Sequence, residues 1–290
     1  MALTTLGNYT TYVQRLLHDS SFQFWTQVEL TDFINAARNR LVRDTGCVRV
    51  MQPLWISTQV EKYPFGSVTG AQIVSGGSGY TSSPAVAITG GTGTGATASA
   101  AILNGKVNQV NITTGGTGYS TMTQGAVAPS IAFTGGGGSG AVAVASVLDN
   151  QSIDMIRAML LWGSTRIALS YRTWGDFNAT WRYTTTFIGR PQVVSLYAYN
   201  TAYVAPPPDQ PYLVEWDTVT LPLPLIDNTT PETIPFVFQE AIPYYAAFMA
   251  KIKSQQNKEA DEFLQRYKQQ MAAGLASIMT KRTRSEYMQP

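Results

Sequence analysis

The sequence predicts an α+β fold: a helical bundle core made by N- and C-terminal helices, a β-sheet portion between them, and an inserted all-β domain. The first observation is helical periodicity near both ends, and the second is a middle region of strand-like segments. The third is a duplicated glycine-rich phrase, GGSGYTSSPAVAITGGTGTGATASA from Gly76 and GGTGYSTMTQGAVAPSIAFTGGGGSGAVAVAS from Gly115. The predicted domains are a host domain of helices and strands (1–67 and 149–280), a repeat insert (68–148) and an extended tail (281–290).

Two helices are predicted before the first strands. Asn8 is the predicted N-cap of the first helix, and apolar residues on one face follow it. The second helix has the capping-box pattern at Thr26 and Glu29 and a glycine stop at Gly46. The residues from Val48 to Phe65 favour strand because β-branched and aromatic residues alternate with polar ones.

Each copy of the phrase predicts turn, strand, turn, strand, because glycine pairs supply positive φ and small apolar residues alternate between them. A phosphate-binding loop is the competing interpretation. It fails because Gly105-Lys106 is followed by Val107 and lacks the earlier glycine that such a loop requires. Hairpin turns therefore explain the glycines better.

The segment from Ile153 to Tyr171 is predicted as a helix that leads into a loop. Several strands are predicted from Thr184 to Leu225, interrupted by three consecutive prolines. A helical hairpin with a break near Asn257 is predicted from Pro235 to Thr280.

Composition excludes several classes of function. The net charge of +2 and the 13% of charged residues provide no broad basic surface for nucleic acid. A single cysteine, Cys47, and a single histidine, His18, cannot build a Cys/His metal site, so neither metal nor cofactor is expected. The N-terminus lacks a secretory pattern and no apolar stretch is long enough to span a membrane, so we expect synthesis in the cytoplasm and no membrane partner.

No catalytic residues are predicted. His18 lies at the end of a short helix, where the helix dipole favours a histidine. Glu215 and Asp217 share one face of a predicted strand and Asp227 is close in sequence, which leaves open a carboxylate pair for glycoside cleavage. Nothing in their context singles them out, so we expect no enzymatic activity.

Aromatic clusters could belong either to the core or to an interface, and the sequence leaves both open. One cluster is Trp174, Phe177 and Trp181, and the other is Tyr197, Tyr199 and Tyr203. The last ten residues, KRTRSEYMQP, show no apolar periodicity. They are predicted to be a tail that is either disordered or docked on a neighbour.

Outside the repeats, the chain resembles the head-to-tail adaptor, or connector, proteins of tailed bacteriophages. The similarity begins with NYTTYVQRLLHD, VELTDFINAARNRLVRDTGC and QPLWISTQVEKYPF. It continues in DMIRAMLLWGSTRIALSYRTWGDFNATWRY, PPPDQPYLVEWD and IPFVFQEAIPYYAAFMAKIK. The resemblance is extended and has no short diagnostic motif, and the repeat insert departs from the family pattern.

The resemblance implies a structural virion protein at the head-tail junction, made in the cytoplasm of the host bacterium. Copies would form a ring, usually a dodecamer, between the portal protein and the tail or nozzle protein, and DNA would pass through without sequence-specific binding. The family's C-terminal segment contacts the portal. Transferred to this chain, the candidate portal contacts are Lys281, Arg282, Arg284, Tyr287 and Met288.

A second hypothesis is a tail-associated protein that binds a glycan or receptor through the insert at 68–148. The two equivalent aromatics of the GGxGY phrases, Tyr80 and Tyr119, would then offer exposed rings to a sugar. Alternatively, each tyrosine packs over the strand pair that follows its glycine turn.

Overall fold

The computed structural model describes residues 5–120, 129–182, 187–198 and 200–280. The chain divides into two compact units. The first, here called the helical unit, is Met1–Val48 with Leu221–Pro290, and the second, the strand unit, is Arg49–Thr220. No helix within the described ranges is long and apolar enough to cross a membrane.

The elements are named in chain order. The helices are α1 (Leu6–Leu17), α2 (Gln27–Thr45), α3 (Trp174–Thr180), α4 (Phe236–Gln239), α5 (Ala241–Lys253) and α6 (Asn257–Thr280). The strands are β1 (Arg49–Ile56), β2 (Lys62–Pro64), β3 (Ser67–Ser78), β4 (Ala85–Thr89), β5 (Thr94–Leu103), β6 (Lys106–Thr117), β7 (Ser130–Thr134), β8 (Ser139–Leu148), β9 (Ser152–Trp162), β10 (Thr165–Ala168), β11 (Ser170–Tyr171), β12 (Val193–Tyr197), β13 (Thr201–Ala205) and β14 (Tyr212–Thr220).

The predicted helical bundle core is wrong. The structure is mostly β, with 39% of it in strands and 30% in helices. The largest buried apolar clusters of the strand unit are built from strand residues, including Trp216 and Leu160 in one cluster and Val110 and Ile112 in another. The prediction failed because it counted helices at the two ends and assigned a further helix to the middle, where the chain forms a central strand.

The caps predicted for α1 and α2 agree with the structure except at the start of α1. The Thr5 hydroxyl accepts a hydrogen bond from the Asn8 backbone N–H, so Thr5 is the N-cap of α1 and the predicted cap at Asn8 is wrong. The capping box of Thr26 and Glu29 is confirmed, and α2 ends at Gly46 with φ 60°. The predicted helical hairpin is confirmed by α5 and α6, which are separated by a break just before Asn257.

The strand unit contains three sheets. Their strand orders are β1-β14-β9-β10, β11-β12-β13-β2 and β3-β8-β7-β4-β5-β6. The predicted strands between Val48 and Phe65 are confirmed by β1 and β2, and those between Thr184 and Leu225 by β12 to β14. The third sheet is made entirely by residues from Ser67 to Leu148.

The helix predicted from Ile153 to Tyr171 is wrong, because these residues form β9, β10 and β11. β9 pairs with β14 along one edge and with β10 along the other, and apolar residues follow one another from Ala158 to Trp162. Ala158 and Leu160 are fully buried on one face, while Met159 on the other is half-buried. Because consecutive apolar residues lie on both faces of β9, the regular polar alternation that identifies strands in a sequence is missing.

The third sheet repeats one arrangement twice, and the strands predicted in each copy are confirmed by β4 with β5 and by β7 with β8. At equivalent places in the two copies, β3 and β6 approach each other closely. A Cβ on Gly76 would lie 2.7 Å from the Val107 carbonyl oxygen, and one on Gly115 would lie 2.8 Å from that of Val68. Glycine is therefore required where the two long strands cross.

Candidate interaction sites

An apolar loop is exposed between α1 and α2. This loop, residues 19–26, is called the phenylalanine loop below. Phe24 is 81% exposed and Phe22 is 40% exposed, and Val28 continues the exposed surface onto α2. Because large contiguous apolar side chains on a protein surface commonly mark a contact with another molecule, this loop is a candidate interaction site.

Asp19 fixes the shape of the phenylalanine loop. Its buried carboxylate accepts hydrogen bonds from the backbone N–H groups of Gln23 (2.8 Å), Phe24 (3.0 Å) and Trp25 (3.0 Å). Burial favours the neutral acid, but the three donors outweigh burial and lower the pKa of Asp19. Phe22 has φ 54°, a left-handed conformation that is unfavourable for a bulky residue. The loop is therefore held in one conformation that presents its phenylalanines.

Charged and aromatic contacts hold the C-terminal end of the loop. The indole of Trp25 packs edge-on against Phe33, with 5.7 Å between ring centroids. Lys253 of α5 lies 5.7 Å from the Trp25 ring centroid and forms an ion pair of 2.6 Å with Glu29. Hydrogen bonds from Lys253 and Thr26 lower the pKa of Glu29 to about 2.

A groove of about 420 Å³ adjoins the loop, with Phe22 and α1 among its walls. Ile226 also lines this groove and is exposed, in a segment that is held by two sets of hydrogen bonds. The side-chain oxygen of Asn228 accepts a 2.6 Å hydrogen bond from the Gly7 backbone N–H. Hydrogen bonds from the hydroxyl and backbone groups of Thr229 and Thr230 lower the pKa of Asp227 to about 2.

A buried ion pair anchors this segment on α2. The Arg38 guanidinium donates to both carboxylate oxygens of Glu232, at 2.7 and 3.1 Å, and the two side chains are only 1% and 2% exposed. Arg38 also donates to the Leu223 carbonyl oxygen at 2.6 Å. The Asn35 side chain pairs with both the N–H and the C=O of Leu225. These bonds determine where Ile226 is exposed.

The predicted aromatic cluster in the strand unit combines core and surface. Phe177 is fully buried, whereas Trp174 and Trp181 pack against its cluster and are half-buried. The ring centroids of Trp174 and Tyr203 are 4.7 Å apart, and the Arg182 guanidinium lies 5.4 and 5.2 Å from these two rings. Phe177 is therefore a core residue, and the tryptophans lie at its edge. Of the second cluster, Tyr199 lies outside the described residues.

The two insert tyrosines are buried. Tyr80 is 5% exposed and Tyr119 is 2% exposed, so neither ring offers an open face to a sugar. A Cβ on Gly138 would lie 2.5 Å from Cγ of Tyr80, and the Tyr119 ring covers Gly93 in the same way. Each tyrosine thus packs on the closing glycine turn of the other copy, not on the strands that follow its own turn.

Glu215 and Asp217, the carboxylates considered for a catalytic pair, each form an ion pair with an arginine. Glu215 accepts two hydrogen bonds from Arg166, at 2.9 and 3.1 Å, which lower its pKa, and Asp217 pairs with Arg49. His18 ends α1 in a left-handed conformation. Across the described ranges, no group of three or more His, Cys, Asp or Glu side chains could hold a metal ion.

The predicted portal-contact residues Lys281, Arg282, Arg284, Tyr287 and Met288 lie outside the described residues, which end with α6 at Thr280. The phenylalanine loop was not among the sites predicted from the sequence. Its signal is the run Phe22-Gln23-Phe24-Trp25, which places three aromatic residues in the short segment between two helices. The constraint by Asp19 has no equivalent sequence pattern.

The phenylalanine loop thus exposes apolar side chains on a backbone that is fixed by the hydrogen bonds of Asp19. The chain belongs to the SU10 adaptor protein family, whose model matches residues 107–290. It is a phage adaptor-type structural protein and a virion component. The match includes the second copy of the repeat, whereas residues 1–106 lie outside it. No curated protein matches the chain.

Proposed function

We propose that copies of this protein form a ring, of about twelve members, beneath the portal of a tailed phage. The ring would join the capsid to the tail or nozzle protein at the head-tail junction and continue the DNA channel. Membership of the adaptor family over residues 107–290 carries the proposal. The ring, its partners and its place in the virion go beyond what the family name states.

The phenylalanine loop supports the proposal by offering an assembly contact. A head-to-tail ring needs one face of each copy to enter a different face of its neighbour. Phe24 is highly exposed on a backbone that Asp19 already fixes, so little ordering is needed on contact. We propose that this loop contacts a neighbouring copy or the portal.

Charge supports the proposed DNA channel. A wall that binds DNA by phosphate neutralisation needs clustered lysine and arginine residues. This chain has a net charge of only +2, and most described arginines of the strand unit pair with carboxylates. DNA would slide past such a surface without being held.

We further propose that the tail, residues 281–290, reaches the portal. Lys281, Arg282 and Arg284 would pair with portal carboxylates, and Tyr287 and Met288 would fill a pocket. The repeat at 68–148 is proposed to be an insertion in the adaptor fold that decorates the ring. Its self-contained apolar cluster, which includes Tyr80 and Tyr119, supports this interpretation.

Native mass spectrometry of the chain with the portal protein of the same phage tests the ring. We expect a complex with one adaptor per portal subunit, lost when the chain is ended at Thr280. Phe24→Ala should weaken the complex, whereas Leu103→Ala, an exposed residue of the third sheet, should leave it unchanged. No complex at any ratio, together with a stable trimer of the chain alone, would contradict the proposal and favour a tail-fibre role.

A further inference from the structure

An open groove crosses the strand unit beside Trp55. It consists of two adjoining hollows of about 370 and 340 Å³, and Trp55 and Pro211 line both. The first hollow extends along β9 and β14 to Trp162. The second extends along β3 and β6 to Asn108. This elongated surface is called the Trp55 groove, and no role has yet been given to it.

The aromatic part of the groove is held in place while it remains accessible. Trp162 is 44% exposed, and its ring stacks on Tyr212 with 5.7 Å between centroids and 26° between planes. The Arg190 guanidinium lies over the same ring, 5.4 Å from its centroid. A fixed, exposed indole provides contact area at a low entropy cost.

Carboxamide side chains supply the polar part of the groove. Gln72, Asn108 and Gln109 line one hollow, and Gln210 lines the other. Gln109 is oriented by hydrogen bonds from its amide nitrogen to other side chains, and the Gln210 amide nitrogen donates to the Tyr212 hydroxyl at 3.3 Å. A carboxamide can both donate and accept hydrogen bonds, and in Gln109, whose amide nitrogen is engaged, the side-chain oxygen is the group that can accept.

Formal charge is missing from this lining. None of the described residues that line the two hollows is Asp, Glu, Lys or Arg. Nucleic acid and acidic polysaccharides are bound by clusters of cationic groups, and the single Arg190 guanidinium over Trp162 is not such a cluster, so the groove fits those ligands poorly. The ligand that matches the lining is neutral, has apolar faces and carries groups that both donate and accept hydrogen bonds.

We propose that the Trp55 groove binds a neutral oligosaccharide. The C–H faces of sugar rings would pack against Trp162 and Trp55, and the carboxamides would exchange hydrogen bonds with the sugar hydroxyls. A proline-rich peptide also packs on aromatic rings, but its prolines carry no backbone N–H and so leave the carboxamide acceptors without donors. This inference goes beyond the adaptor function and does not depend on ring formation.

Saturation-transfer NMR and tryptophan fluorescence on the full chain test the proposal. The probes are neutral hexasaccharides of glucose, mannose, galactose and N-acetylglucosamine, with decaproline as the competing class. We expect at least one hexasaccharide to bind. Trp162→Ala should lower its affinity about tenfold or more, as the loss of an aromatic anchor does elsewhere.

Asn108→Ala is a second test in case the tryptophan variant fails to fold. Asn108 is exposed, so its replacement removes a carboxamide from the groove and should not disturb the fold. It should lower the affinity by about threefold to tenfold, the loss of one hydrogen bond. Phe236→Ala, at an exposed aromatic of the helical unit, should leave sugar binding unchanged. Binding of no hexasaccharide, binding of decaproline alone, or sugar binding unaffected by both groove variants would overturn the proposal.

Discussion

The helical unit and the third sheet, residues 67–148, are stabilised by different kinds of contact. The helical unit relies on ionised side chains, such as the buried pair of Arg38 and Glu232 and the carboxylate of Asp19. In the third sheet the sequence contains a single charged residue, Lys106. There, strand pairing and the packing of tyrosine on glycine replace ionic contacts. The same chain therefore contains regions that should respond to different perturbations.

The largest effect is expected from breaking the buried ion pair. Arg38→Ala leaves the Glu232 carboxylate buried without its partner, which should cost about 3–5 kcal/mol of unfolding free energy. Hydrogen exchange measured by mass spectrometry should show the loss across the helical unit, with the third sheet unaffected.

Arg40→Ala is the matched control on the same helix. Its pair with Asp44 is largely exposed, so its removal should cost only about 0.5 kcal/mol. The double variant Arg38→Met/Glu232→Leu should recover much of the lost stability, because neither charge remains buried. Equal losses in the Arg38 and Arg40 single variants would contradict the assigned role of the buried pair.

A smaller loss, confined to the third sheet, is expected from Gly138→Ala. The added Cβ would lie 2.5 Å from the Tyr80 ring and must displace it, which should cost about 1–3 kcal/mol. Gly175→Ala is the control, because no atom lies within 4 Å of its added Cβ. Denaturant unfolding of both variants measures the difference, and no loss in Gly138→Ala would refute the tyrosine packing.

Acid should destabilise the helical unit before the third sheet. The pKa of Glu29 and that of Asp227 are both lowered to about 2, so their stabilisation is present above the ordinary carboxyl range and is lost as the pH falls towards 2. Residues 67–148 contain no carboxylate side chain. Infrared spectra of the amide I band should show the helical signal melting at lower temperature in acid while the strand signal changes less.

The variant Glu29→Gln/Asp227→Asn supplies the control for the acid experiment. Its helical unit should be less stable at neutral pH and should show a weaker pH dependence. A pH dependence equal to that of the unmodified chain would show that other groups are responsible.

The smallest effect on stability, within about 0.5 kcal/mol, is expected from Phe24→Ala, since the side chain is 81% exposed. Its effect should appear only in assembly. Thermal unfolding of the isolated chain measures its stability, and titration with the portal protein measures its affinity in assembly. A large loss of stability would mean that Phe24 supports the fold instead of a contact.

Local patterns were sufficient for much of the fold. The capping box at Thr26 and the glycine stop at Gly46 act within a few residues, so the limits of α2 could be predicted. The repeat strands could be predicted because each has turn glycines beside it. β9 could not, because its apolar residues do not alternate with polar ones and the sequence does not show that β14 and β10 pair with it.

The candidate sites were less accessible to sequence reasoning. Tyr80 and Tyr119 were recognised as equivalent, but which glycine turn each covers is decided by how the two copies interlock. The phenylalanine loop depends on Asp19, whose three backbone partners follow it by four to six residues in an irregular turn. Such bonds have no periodic signature.

Hydrogen exchange of the free chain and of its complex with the portal protein tests the central claim most directly. The account predicts that protection is gained in the phenylalanine loop and α2, and in the tail from 281 to 290, with little change at 67–148. The account would be contradicted if protection were gained only at 67–148. It would also be contradicted if no residue gained protection when the two proteins are mixed at high concentration.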